Sequence, residues 1–157
     1  MKVKLVWIGK SNGNYIKDGI ADFQKRINRY HTFDVEEIAQ VKNGERLKPG
    51  ELKKKEADLL LKRFSKDDFV VLLDEKGKQY TSKTFAAFLQ KQMLNAIKSL
   101  VFVVGGAYGF DQKVYERAQM KLALSSMTFS HQLIRVLFLE QLYRANTIIR
   151  NEPYHNN

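Results

Sequence analysis

The chain has 157 residues and carries 27 lysines and arginines against 17 aspartates and glutamates, a formal net charge of +10. A chain of this length buries roughly two-thirds of its unfolded surface, enough for a core without cross-links. A composition that is 44% hydrophobic and 11% aromatic excludes global disorder. The absence of cysteine removes disulfides, thiolate nucleophiles and cysteine-based zinc sites. The three histidines, His31, His131 and His155, are too scattered to suggest a metal centre. Apolar runs such as Val101 to Val104 fall far short of the ~20 residues of a membrane span. Met1 to Gly9 alternates charged and apolar residues instead of building the apolar block of a signal peptide, so a cytoplasmic protein is expected.

Lys2 to Gly9 places Val3, Leu5 and Trp7 on one alternating face and predicts a first strand. Ile16, Ile20, Phe23 and Ile27 recur at helical spacing and predict an amphipathic helix over Asn14 to Tyr30. A strand is expected over Phe33 to Val41 and a polar loop over Lys42 to Gly50. A charged helix follows over Glu51 to Phe64, with Leu52, Leu59, Leu60 and Phe64 as its apolar residues. Asp68 to Asp74 and Leu100 to Gly105 are short, nearly continuous apolar runs, the pattern of parallel strands buried on both faces. Between them, Thr84 to Ile97 reads as a helix opened by Thr81 or Ser82 as N-cap. A shorter helix near Asp111, a fifth strand over Lys121 to Leu124 and a last helix from about His131 to Ile149, capped by Ser130, complete the chain.

Strands alternating with helices predict one α/β domain over residues 1–157, with a mostly parallel sheet and helices on both faces. The charge is uneven. Residues 1–66 hold 16 basic and 9 acidic side chains, whereas residues 67–157 hold 11 and 8. The first half is therefore the expected polyanion surface, with Lys10, Lys17, Arg26 and Arg29 as candidate phosphate contacts.

Several segments have the composition of a site. Val101 to Phe110 runs a buried strand into Gly105, Gly106 and Gly109, where a backbone can approach a ligand closely at the carboxyl end of a strand. The glycine spacing is not the dinucleotide fingerprint, and taken singly the feature is more often an ordinary strand-to-helix turn. Leu73 to Lys78 ends a buried strand in a turn holding Asp74 and Glu75, which serve either as catalytic carboxylates or as turn formers. Leu124 to Phe129 offers small hydroxyl residues flanked by Leu124, Met127 and Phe129, either a purine enclosure or a capped loop.

In the last helix, His131 and Arg135 share one face. Glu140 and Arg144 share another, about half a revolution away. The remaining positions are apolar almost all round, which predicts a subunit interface as well as a core. Arg135 and Arg144 are then expected to be ion pairs or ligand clamps, pairing of Arg144 with Glu140 being one option. The chain closes on Pro153, Tyr154 and His155, a tail that by default would be inert.

LDEKGK at 73–78, FVVGGAYG at 102–109, LALSSMTFSHQLIRVLFLEQLYRA at 122–145 and PYH at 153–155 together resemble the RlmH family, large-subunit ribosomal RNA pseudouridine methyltransferases of the SPOUT class. WIGK at the opening, Tyr15 and Gly19 extend the resemblance over essentially the whole chain. It implies a C-terminal trefoil knot, which connection rules alone disfavour, a homodimer, and S-adenosylmethionine as methyl donor. The implied substrate is a pseudouridine methylated at N3 in the assembled ribosome. By the same resemblance, Leu73, Gly105, Leu124, Ser125, Ser126, Met127, Thr128 and Phe129 are cofactor contacts, and Arg144, Tyr154 and His155 face the target base. Ser130 stands where many members have proline, Asn151 where glycine is common, and Asn156 and Asn157 where charged residues are frequent.

This chemistry needs neither metal nor cysteine. Methyl transfer from a sulfonium is an in-line displacement that depends on positioning and on a deprotonated acceptor. His155 is a candidate base, Arg144 a candidate anion stabiliser and Tyr154 a stacking or hydrogen-bonding partner. A non-catalytic ribosome-binding or assembly protein is the alternative that a basic α/β domain also allows, with a nucleotide-dependent oxidoreductase behind it.

Overall fold

In the computed structural model, which describes residues 1–156, five strands alternate with five α-helices among the described residues. The expected single domain and C-terminal tail extend to Asn157, which lies outside the described residues. In chain order the elements are β1 (Lys2–Ile8), α1 (Asn14–Ile27), β2 (Thr32–Ile38), α2 (Pro49–Leu61), β3 (Phe69–Gln79), α3 (Ser82–Leu94), β4 (Ser99–Val104), α4 (Gln112–Arg117), β5 (Met120–Ala123) and α5 (Leu133–Ile149). The strands form one sheet in the order β2-β1-β4-β3-β5, every neighbouring pair parallel.

The two apolar runs occupy the interior of that sheet. Val70 to Leu73 on β3 and Leu100 to Val104 on β4 are all buried, because helices cover both faces. On one side α1, α3 and α5 supply Ile16, Ile20, Phe85, Leu89, Phe138 and Leu142. On the other, α2 and α4 supply Ala57, Leu60 and Val114. Phe102 lies between Phe85 and Phe138, with ring centroids 6.0 and 4.7 Å away, and ties α3 and α5 to the sheet.

Most element boundaries differ from expectation for identifiable local reasons. The second helix begins at Pro49, two residues early, because proline suits the first turn, where its missing N–H is not needed. The third opens with a capping box in which the hydroxyls of Thr81 and Thr84 each accept from the other's backbone N–H. The last begins at Leu133 rather than His131. Ser130 Oγ accepts the Leu133 N–H at 3.0 Å, so the two residues between form a turn.

The largest departure is in β3. It does not stop at Asp74 but continues to Gln79 across a bulge: Leu122 of β5 is paired with Leu73 and again with Lys78, so Asp74 to Gly77 loop out between them. Gly77 makes this possible. A Cβ there would lie 2.7 Å from the backbone N of Leu122, closer than real contacts allow.

Arg135 is the second correction. The expectation is an ion pair or a ligand clamp, yet the side chain is 1% exposed and binds chiefly to backbone. Its Nη2 donates to the Ile8 carbonyl at 3.2 Å, Nη1 to the Gly9 carbonyl at 3.2 Å and to Ser11 Oγ at 3.1 Å, and Nε to the His131 carbonyl at 3.1 Å. The guanidinium also stacks over Trp7, 4.6 Å from the ring centroid. Burial lowers its pKa to about 10, with Glu37 opposing, so the charge persists at neutral pH. Arg135 thus fastens the start of α5 to the carboxyl end of β1.

Candidate functional site

The carboxyl ends of β3, β4 and β5 open onto a cavity of about 470 Å³. Its walls come from the β3 bulge (Leu73 to Lys76), the turn after β4 (Gly105 to Phe110) and the segment leading into α5. Of the residues expected to bind cofactor, Leu73, Gly105, Leu124, Ser125, Met127, Thr128 and Phe129 line it together. Ser126 does not; it is exposed beside the lining. Tyr108 and Met127 stand at the cavity with 55% and 73% of their surface exposed, apolar groups available to a ligand.

Hydrogen bonds brace this cavity. The Tyr115 hydroxyl donates to Asp74 Oδ2, and the Lys76 backbone N–H donates to Asp74 Oδ1 at 2.9 Å. Burial first, then the bond to Asp74, raises the Tyr115 pKa, so the phenol stays protonated and donating. Thr128 Oγ1 donates to Glu75 Oε2 at 2.6 Å, joining the bulge to the segment before α5. Gly106 faces α2: a Cβ there would meet Glu56 Oε2 at 2.8 Å, so the turn packs against a half-buried carboxylate whose pKa burial raises. Neither Tyr115 nor Glu56 carries a recognisable sequence signal, since each acts through residues distant along the chain.

Arg144, Tyr154 and His155 form a separate cluster, and none of them lines the 470 Å³ cavity. Arg144 Nε and Nη2 donate to Glu140 Oε1 at 3.1 and 2.5 Å, and the Tyr154 hydroxyl donates to the same oxygen at 3.1 Å. Arg144 Cζ lies over the Tyr154 ring, 4.7 Å from its centroid. Nη1 lies 3.1 Å from His155 Nδ1. Because arginine has only donors, that bond requires Nδ1 to accept and leaves the proton of the neutral ring on Nε2. Glu140 raises the pKa of Arg144, and burial followed by Glu140 raises that of Tyr154. Glu140 also lines a second cavity of about 350 Å³ whose walls include Leu122, Leu124 and Phe129, which line the first cavity too.

The tail is also held by a helix cap and by Tyr30. After α5, Asn151 takes the left-handed conformation with φ of 56°. Asn151 N–H donates to the Ile148 carbonyl at 3.1 Å and Glu152 N–H to the Thr147 carbonyl at 2.9 Å, the Schellman pattern in which asparagine can replace glycine. Tyr30, just past α1, then donates its hydroxyl to Glu152 Oε2 at 2.6 Å. Burial and this bond push the Tyr30 pKa up to about 12.

The candidate RNA contacts are not equivalent. Lys10, Lys17 and Arg29 are exposed. Arg26 is engaged, with Nε 3.2 Å from Asp22 Oδ1 and Cζ 5.3 Å from the Tyr143 centroid. Tyr143 in turn packs edge-on to Tyr154 at 4.7 Å, so α1 reaches the Arg144 cluster through an aromatic pair that the sequence did not single out. Among the described residues, no group of three or more His, Cys, Asp or Glu is placed to hold a metal ion, and no helix is long and apolar enough to cross a membrane.

The family described as "Predicted SPOUT methyltransferase" matches residues 1–155. A protein of Parabacteroides distasonis named ribosomal RNA large subunit methyltransferase H is 48% identical over 156 residues, 99% of each chain. Proteins of the same name from Flavobacterium johnsoniae and Cytophaga hutchinsonii are each 47% identical over 156 residues, covering 99% of this chain and 99% and 100% of the relative. Matched from the first strand into the tail, the chain belongs to the SPOUT methyltransferase family.

Proposed function

We propose that the protein transfers a methyl group from S-adenosylmethionine to N3 of a pseudouridine in large-subunit ribosomal RNA, acting on the assembled ribosome in the cytoplasm as a homodimer. The observation that carries this reading is identity of 48% over 99% of both chains to a ribosomal RNA large subunit methyltransferase H. The cavity fits the cofactor: about 470 Å³ is within the range of small-molecule sites, and Leu73, Leu124, Met127 and Phe129 in its walls suit an adenine. Bound there, S-adenosylmethionine supplies an electrophilic methyl group for in-line displacement.

The rest falls to side chains. Arg144 keeps its charge against Glu140 and has two of its five N–H groups free to stabilise the anion that forms as N3 loses its proton to solvent. His155 has its accepting nitrogen committed to Arg144, so it presents Nε2–H to the base as a donor. Tyr154, with its ring under the guanidinium and its hydroxyl on Glu140, helps hold Arg144 in that orientation.

Because the Arg144 cluster lies outside the cavity of its own chain, a second subunit is part of this reading, and the partly buried apolar residues Val136, Leu137 and Ile148 of α5 support it. A single domain over 1–157 is supported by a sheet and core drawing on both ends of the chain. The C-terminal trefoil knot is compatible with β5 lying beside β3 while α5 returns to pack on α1 and α3.

The test is methyl transfer from labelled cofactor to ribosomes lacking the modification, with the nucleoside product identified by mass. N3-methylpseudouridine is expected. Ribosome binding without transfer would replace the reading with a non-catalytic one, and sedimentation as an 18.3 kDa monomer that still methylates would remove the dimer.

A further inference from the structure

The cofactor cavity carries a charge opposite to that of the protein around it. In a chain of net charge +10, the charged side chains lining the cavity are Asp74, Glu75 and Lys76. His131 also lines it, but burial, then Arg135, lowers its pKa and leaves it neutral at pH 7. Among the described residues, neither Asp74 nor Glu75 makes a salt bridge, although basic side chains outnumber acidic ones in the chain. Glu75 is exposed and tied to Thr128. Asp74 is half-buried and aimed by two donors of fixed direction, the Tyr115 hydroxyl on Oδ2 and the Lys76 N–H on Oδ1. Each oxygen keeps a lone pair, and the bulge at Asp74 to Gly77 puts the carboxylate in the cavity wall instead of in the strand ladder.

We propose that Asp74, oriented by Tyr115 and the Lys76 backbone, is the counter-charge that recognises the positively charged part of S-adenosylmethionine. The inference rests on reading the cavity as the cofactor site. S-adenosylmethionine carries a sulfonium and an ammonium, and the field of a strongly basic protein repels both. A carboxylate with no internal cation partner offsets that repulsion at the point of binding. A turn former would need only the Lys76 amide; the Tyr115 bond from α4 is the additional contact that a pure turn does not require.

The experiment compares two probes on the intact protein by calorimetry. S-adenosylmethionine has both positive groups; 5′-methylthioadenosine keeps the adenosine, the ribose hydroxyls and the thioether sulfur but has neither. For Asp74→Asn, the affinity for S-adenosylmethionine should fall at least about tenfold, as expected when a charge-assisted hydrogen bond is removed, while that for 5′-methylthioadenosine changes by less than about twofold. Unchanged 5′-methylthioadenosine binding also demonstrates that the variant is folded. Should Asp74→Asn not fold, Asp74→Ser retains a hydroxyl acceptor for the bulge and is measured in the same way. Equal weakening of both probes would assign Asp74 to the ribose or to structure and overturn the proposal alone. No binding of either probe to the unaltered protein would overturn the cofactor reading with it.

Discussion

Glu140 Oε1 accepts hydrogen bonds from both Nε and Nη2 of Arg144, at 3.1 and 2.5 Å. The pairing and the functional reading of Arg144 are therefore compatible: the carboxylate holds the guanidinium in one orientation and leaves its far edge to His155. The neighbouring Tyr154 hydroxyl shares the same oxygen, so one acidic residue gathers the three side chains assigned to the target base.

If His155 acts through an accepting Nδ1 and a donating Nε2, asparagine should replace it better than alanine, because its amide presents an oxygen and an N–H in similar directions. His155→Asn is expected to keep single-turnover methyl transfer within about tenfold of the unaltered protein. A group that abstracts the proton would lose on the order of 10²–10⁴ in both variants. Equal, large losses would reinstate His155 as the base.

Removing residues 154–157 should abolish methylation and leave cofactor binding nearly intact, because neither Tyr154 nor His155 lines the 470 Å³ cavity. Calorimetry with S-adenosylmethionine alongside ribosome methylation separates the two functions. Loss of cofactor affinity in step with activity would mean that the two clusters form one site.

Ribosome binding should weaken steeply with salt, since a basic surface displaces counterions from RNA. Alanine at Lys10, Lys17, Arg26 and Arg29 together should lower the slope of log affinity against log salt by up to about one for each phosphate that is no longer bound. Arg26 should contribute least, as Asp22 already neutralises it. An unchanged slope would move the RNA surface elsewhere.

Arg135→Met should destabilise the fold by roughly 3 kcal/mol or more, because it leaves the buried carbonyl of Gly9 and the partly buried one of Ile8 without their donor. Denaturant midpoints with an unchanged slope would measure it. A loss below about 1 kcal/mol would mean that Trp7 packing, not hydrogen bonding, fastens α5 to β1.

His31 makes stability pH-dependent. It is buried, with Nε2 2.8 Å from Asn146 Oδ1, and burial lowers its pKa below 6.5. The unfolded chain then takes up the proton more readily than the folded one. The contribution is fully present above about 6.5 and is lost as pH falls through the folded value. Between neutral pH and about pH 5 the melting temperature should drop, and His31→Gln should drop less steeply. Parallel curves would exclude His31 as the source.

Where the elements lie was legible from the sequence because periodicity reports burial directly. DFVVLLD and LVFVVG have the pattern of strands covered on both faces, and they are the neighbours β3 and β4 of the sheet. The glycine turn at 105–109 and most of the segment 124–129 were recognisable as site material by composition and by resemblance, and the fold brings them to one cavity. Three features were decided only by tertiary structure. The bulge that turns Asp74 toward the cavity depends on Leu122 pairing twice, a register that β5 imposes on β3. Apart from the His131 carbonyl, the partners of Arg135 lie 124 to 127 residues away, and that of Tyr30 lies 122 away. Hydrophobic spacing tells which side of an element is buried. It carries no information about which donor meets which acceptor once the elements pack, and here those pairings orient Asp74, anchor α5 and hold the tail.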